Sequence, residues 1–194
     1  MIAGRLAVFV FFLAGSAMAA QSGQGRQNEI PEIGPAAPER PVSGNPFSKL
    51  AQPDAARYRA CMSEVGKNPQ AALEAGFLWK DHDGGVPAKH CIGAALVTLG
   101  RYPEAAGWLE EAADDLAAGR GLEAEGAAGS PALEARLRDQ AGNAWLLAED
   151  NTRAFKAFSA AIRVAPAQTP VAQDAYFDRA EASAAIMDFY LAAS

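Results

Sequence analysis

Residues 135–166 read ARLRDQAGNAWLLAEDNTRAFKAFSAAIRVAP. The stretch predicts two short helices joined by a tight turn, with Pro166 closing the unit. Gly142 and Trp145 lie in its first half, and Ala154, Phe158 and Ala161 in its second. Small and bulky apolar residues alternate at helical spacing. Two helices can therefore cross closely where Gly142 and Ala154 leave room, with Trp145 and Phe158 filling the gaps. So short a pair cannot bury its own apolar face. It needs neighbours of the same kind, which is the logic of a stacked repeat.

Working outward, the pattern recurs. Over residues 86–112, Pro87 opens a helix carrying Ile92, Gly93 and Leu96. Gly100 and Tyr102 make the turn, and Pro103 opens a partner helix with Ala105, Leu109 and Ala112. A weaker copy precedes it. Asp54 to Val65 carries Tyr58, Cys61, Met62 and Val65 at three- and four-residue spacing. Asn68-Pro69 then reads as a cap followed by proline in the first turn, ahead of Ala72, Ala75 and Trp79. Pro69 and Ala71 precede Pro103 and Ala105 by 34 residues. Gly93 and Gly142 are 49 residues apart, so the period breaks between them. The excess is glycine, alanine and acid, which predicts an extended helix end and a surface loop before Ser130-Pro131 opens the next helix. Thr169-Pro170 opens a last segment. There Ala180 takes the place of Gly142 and Asp188-Phe189 is expected at the turn, with Met187 where glycine is usual.

These spacings resemble the tetratricopeptide repeat, a helix-turn-helix unit of about 34 residues. Counting Ala135 as the first position, Gly142, Trp145, Ala154, Phe158, Ala161 and Pro166 fall on the family's signature positions. The 86–112 stretch follows the same register. The resemblance covers about 54–194 and implies an all-α, right-handed helix-turn-helix solenoid. Its units would be about 54–85, 86–119, 131–168 and a partial 169–194. The chain would then stop inside its fourth unit, as expected of a truncated product or a fragment of a longer array.

The remaining sequence bears on compartment. Arg5, the apolar run LAVFVFFLA at residues 6–14 and Ala17-Met18-Ala19 make a secretory signal peptide, residues 1–19, cut after Ala19. The run is too short to span a bilayer, which takes about 20 apolar residues, so no membrane span is expected after cleavage. Residues 20–53 carry prolines at 31, 35, 38, 41, 46 and 53 among glycine, serine and glutamine. They predict a disordered linker, either a passive spacer or a tether with a short docking peptide around Phe47. Export makes the compartment periplasmic or secreted. Cys61 and Cys91, the only two cysteines, are then a disulfide pair; the alternative is two buried free thiols.

Catalytic and metal chemistry find no foothold. His90 and Cys91 are adjacent and cannot share one helix face. Two histidines and two cysteines, so spaced, do not make a zinc site. Asp81-x-Asp83-Gly84 begins like a calcium loop, but Ile92 stands where the twelfth-position glutamate belongs. Glu110-Glu111 and Asp114-Asp115 read as a solvated helix face. The formal net charge of -6 disfavours nucleic acid. Half of the residues are hydrophobic, mostly alanine, which favours close-packed helices. No enzyme, cofactor or metal is expected.

The resemblance instead implies a binding role. In this family the first helices of successive repeats line a concave groove that holds a peptide or a partner's helix. The groove positions here are His90, Ala94 and Val97, then Arg136, Asp139, Asn143 and Leu146. Asp174, Phe177 and Glu181 follow if the last unit is in register. Asn143 is the strongest single candidate, since asparagine there grips peptide backbone in family members. The expected partner is a protein or peptide. A structural or self-associating module is the alternative, and oligomeric state stays open.

Overall fold

The computed structural model describes Phe47, Leu50 and residues 53–120 and 130–192, without the side chains of residues 189, 190 and 192. The signal-peptide reading, almost all of the linker and most of the 113–129 insertion lie outside these residues. Among the described residues seven helices follow one another: α1 (Asp54–Val65), α2 (Pro69–Lys80), α3 (Gly85–Thr98), α4 (Tyr102–Ala117), α5 (Pro131–Leu147), α6 (Asn151–Val164) and α7 (Pro170–Ala192). There is no strand among the described residues. Each helix packs on the next in sequence.

The starts are written in the sequence. Asn68 accepts a hydrogen bond from the Ala71 amide and Ser130 from the Leu133 amide, each ahead of a proline in the first turn; Asp150 caps α6 through the Arg153 amide. Such caps satisfy amides that have no partner within the helix. The turns repeat as well. Between α3 and α4, Gly100 has φ +72°, and between α5 and α6, Glu149 has φ 60°. In both turns the next amide reaches back five residues, Arg101 to the Leu96 carbonyl and Asp150 to the Trp145 carbonyl, at 2.9 Å each. This is the Schellman closure of a helix C-terminus.

A three-residue signature marks the cores of α3, α5 and α7. Ala88 and Ala95 are fully buried with Gly93 between them. Leu137 and Ala144 are buried with Gly142 between them, and Ala175 and Ala182 with Ala180 between them, at identical spacing. A Cβ built on Gly93 would lie 2.8 Å from Leu109 Cγ, and one on Gly142 only 2.4 Å from Phe158 Cε1. The two glycines thus let α4 and α6 close directly onto α3 and α5. Ala180 is exposed.

One expectation fails. The turn foreseen at Asp188-Phe189 does not form; α7 continues to Ala192. Met187 holds the place of Gly100 and Glu149; Glu149 takes the left-handed turn with an L side chain, so the residue at that place does not by itself account for the continued helix. The acid runs on α4 are solvated in part, Glu111 and Asp114 being exposed, and they also form ion pairs. Lys89 Nζ lies 2.6 Å from Glu111 and 2.5 Å from Asp115, Arg138 is 3.0 Å from Asp114, and Trp145 Nε1 donates to Glu110 at 2.9 Å. They strap α4 to α3 and α5. Burial alone would lower the Lys89 pKa, but its hydrogen bonds to Asp115 and Glu111 outweigh burial and raise it.

Candidate functional site

Cys61 and Cys91 form a disulfide that ties α1 to α3, with Cα atoms 6.3 Å apart. Next to Cys91 in sequence, His90 belongs to a buried polar cluster. Tyr58 of α1 stands 2.9 Å from His90 Nδ1, and His90 Nε2 stands 2.9 Å from Gln140 Oε1 of α5. With the proton on Nε2, the imidazole donates to Gln140 and accepts from the Tyr58 hydroxyl, so a neutral ring satisfies both neighbours. Phe47 covers them. It is 2% exposed, its ring centroid 4.8 Å from Tyr58 and 5.5 Å from His90.

His90 is therefore an interior residue, 5% exposed, and not the open groove residue that its repeat position implied. Phe47, distant in sequence, packs over the ring of His90. Burial lowers the His90 pKa to about 4; the bond to Gln140 works against that shift and the positive charge of Arg136 adds to it. Burial likewise raises the Tyr58 pKa, slightly opposed by Arg136.

The other groove candidates divide between surface and core. Asn143 is exposed; its Nδ2 donates to the Asp139 carbonyl at 3.1 Å and makes a long 3.5 Å contact with Asp178 Oδ2 on α7. Asn143 thus links α5 to α7 as well as facing solvent. Arg136 and Asp139 are half-buried. Val97 and Leu146 are partly buried against the main apolar core, as is Ala94. On α7, Asp174 is half-buried, while Phe177 and Glu181 are exposed. Sequence spacing missed Gln140 and Asp178. Both are polar residues on otherwise packed helices, and only the tertiary fold shows that they meet His90 and Asn143.

A second feature is a cleft of about 580 Å³ lined by Arg57, Ala60, Cys61, Glu64, Ala75, Leu78, Trp79 and His82, between α1 and α2. Its walls are mostly apolar and its rim charged. No group of three or more histidine, cysteine, aspartate or glutamate side chains among the described residues could hold a metal ion. No helix among them is long and apolar enough to cross a membrane. No protein-family model matches the chain, and no curated protein matches it in sequence.

Proposed function

We propose that the chain is an exported tetratricopeptide-repeat scaffold that binds a protein or peptide partner and performs no catalysis. The observation that carries the reading is the repeated unit. The α3–α4 and α5–α6 pairs share a glycine in close contact with a bulky residue on the partner helix, and a left-handed residue at the same place in the turn. Two units alike in sequence register and in packing support a right-handed stack of this type. The partner would lie along the concave side, across Arg136, Asp139, Asn143 and Leu146. His90 supports that side from beneath. The Cys61–Cys91 bond supports export to an oxidising compartment, periplasmic or extracellular.

The test is partner capture from envelope extract by the tagged full chain, beside R136A/N143A. Loss of a specific protein from the variant, with its helical spectrum unchanged, supports the groove. Identical capture by both proteins rejects it.

A further inference from the structure

The face of α7 turned away from α6 is apolar. Phe177, Ala180, Ala184 and Met187 recur at three- and four-residue spacing and occupy roughly 80° of arc at 100° per residue. Phe177 is 73% exposed and Met187 58%; both alanines are exposed too. The buried Ala175 and Ala182 lie on the other side of the helix.

The fold itself indicates what fits there. Ala180 holds the place that Gly93 holds in α3 and Gly142 in α5, five residues after one buried residue and two before the next. At that place Gly93 meets Leu109 of α4 and Gly142 meets Phe158 of α6. On α7 no helix among the described residues supplies the counterpart. Two exposed acids, Glu181 and Asp188, flank the stripe seven residues apart. The only cation on α7, Arg179, lies over the rings of Phe155 and Tyr176, 5.8 and 5.4 Å from their centroids. A second copy of α7 is a poor occupant. Antiparallel, it sets Glu181 and Asp188 against the same acids; parallel, it sets them against Tyr176 and Ser183, with no cation either way.

We propose that α7 docks an amphipathic helix of a partner protein in the position that α6 takes on α5. That helix carries a bulky apolar residue over Ala180 and Lys or Arg beside Glu181 and Asp188. The inference stands apart from the groove reading, since it rests on the Ala180 face of α7 alone. The chain contains both a match and a mismatch for the charge pattern. The α6 stretch, Asn151–Val164, carries Arg153, Lys156 and Arg163 and no acid, whereas the α4 stretch, Tyr102–Ala117, carries five acids and no cation.

The experiment titrates the full-length protein with labelled, helix-stapled peptides of these two stretches at low salt. The expected result is that the α6 peptide binds at least tenfold more tightly than the α4 peptide. E181K/D188K should remove at least tenfold of that preference, and M187S should weaken binding several-fold. Circular dichroism confirms that each surface variant is folded. Equal binding of the two peptides, or binding indifferent to the α7 variants, overturns the proposal. So does concentration-dependent dimerisation of the wild type that M187S abolishes, because a second copy would then be the occupant.

Discussion

Replacing Gly142 with alanine tests the packing on which the repeat depends. In an ordinary helix interior the change is favourable by about 1 kcal/mol, because glycine loses more backbone freedom on folding. Here the new Cβ would lie 2.4, 2.6 and 2.8 Å from Cε1, Cδ1 and Cζ of Phe158. Relief requires a shift of about 1 Å to reach ordinary carbon–carbon contact. Phe158 is fully buried in the cluster that includes Trp145, Ala154, Ala157 and Ala182, so its ring has no empty space to enter. Overpacking of this kind costs about 1–3 kcal/mol and outweighs the gain in propensity. The α4 residue Gly107 supplies the control, since nothing lies within 4 Å of a Cβ built there. G107A should therefore stabilise by up to about 1 kcal/mol. The identical chemical change thus acts with opposite sign at two helical sites, with G93A between them because Leu109 is slimmer than a phenyl ring. Urea unfolding of the oxidised protein, followed at 222 nm, reads the midpoints. Adding F158L to G142A should recover part of the loss, since the smaller side chain vacates the contested space. A G142A protein as stable as G107A would refute the close approach of α5 and α6.

Three further outcomes are expected. His90 has a folded pKa of about 4 against an ordinary value of 6.5, so the folded state binds fewer protons between those pH values. Its contribution is complete above about pH 6.5 and is lost as pH falls toward 4, a total of about 3 kcal/mol. The stability difference between wild type and H90Q, measured against pH, should narrow across that window; a flat difference would contradict the burial of a neutral imidazole. Reducing the Cys61–Cys91 bond should lower stability by about 3–4 kcal/mol for its 30-residue separation. Urea melts with and without reductant test this, and intact mass should rise by about two daltons on reduction. At the turns, G100A should cost about 1 kcal/mol because Gly100 has φ +72°, whereas E149G should be neutral or stabilising by less than about 1 kcal/mol. A marked loss of stability in E149G would show that the Glu149 side chain has a role beyond the turn.

What the sequence revealed depended on how local the cause was. The caps at Asn68 and Ser130 and the prolines beside them fix helix starts by contacts within a few residues, so they could be read directly. Gly142 and Phe158 were legible as a pair because helical spacing brings them together across one short turn. The interior position of His90 was not legible, because it depends on Phe47, 43 residues earlier, and on Gln140, 50 residues later. The ion pairs that strap α4 were not legible for the same reason. Glu111 and Asp115 look like any solvated acids until α3 places Lys89 between them.

The first helical pair shows what the array does when the small residue is missing. By the 34-residue spacing, Arg59 stands where α3 has Gly93, and it is exposed. A guanidinium side chain cannot admit a partner helix as glycine does, so α2 cannot close onto α1 in the manner of α4 and α6. The cleft of about 580 Å³ lies between these two helices, and Leu78 on its wall is 65% exposed. What holds α1 is of another kind. Cys61 takes the place of the buried Ala95 and is bonded to Cys91 of α3, while Tyr58 reaches His90 on the same helix. α1 is thus fastened to α3 through covalent and polar links, whereas α2 packs closely on α3, a Cβ built on Gly76 lying 2.8 Å from Ile92 Cγ1. Loss of the disulfide should therefore loosen α1 before it disturbs α2 to α6. Amide exchange on the reduced protein would show this as protection lost first over 54–65, and uniform loss across the helices would count against it.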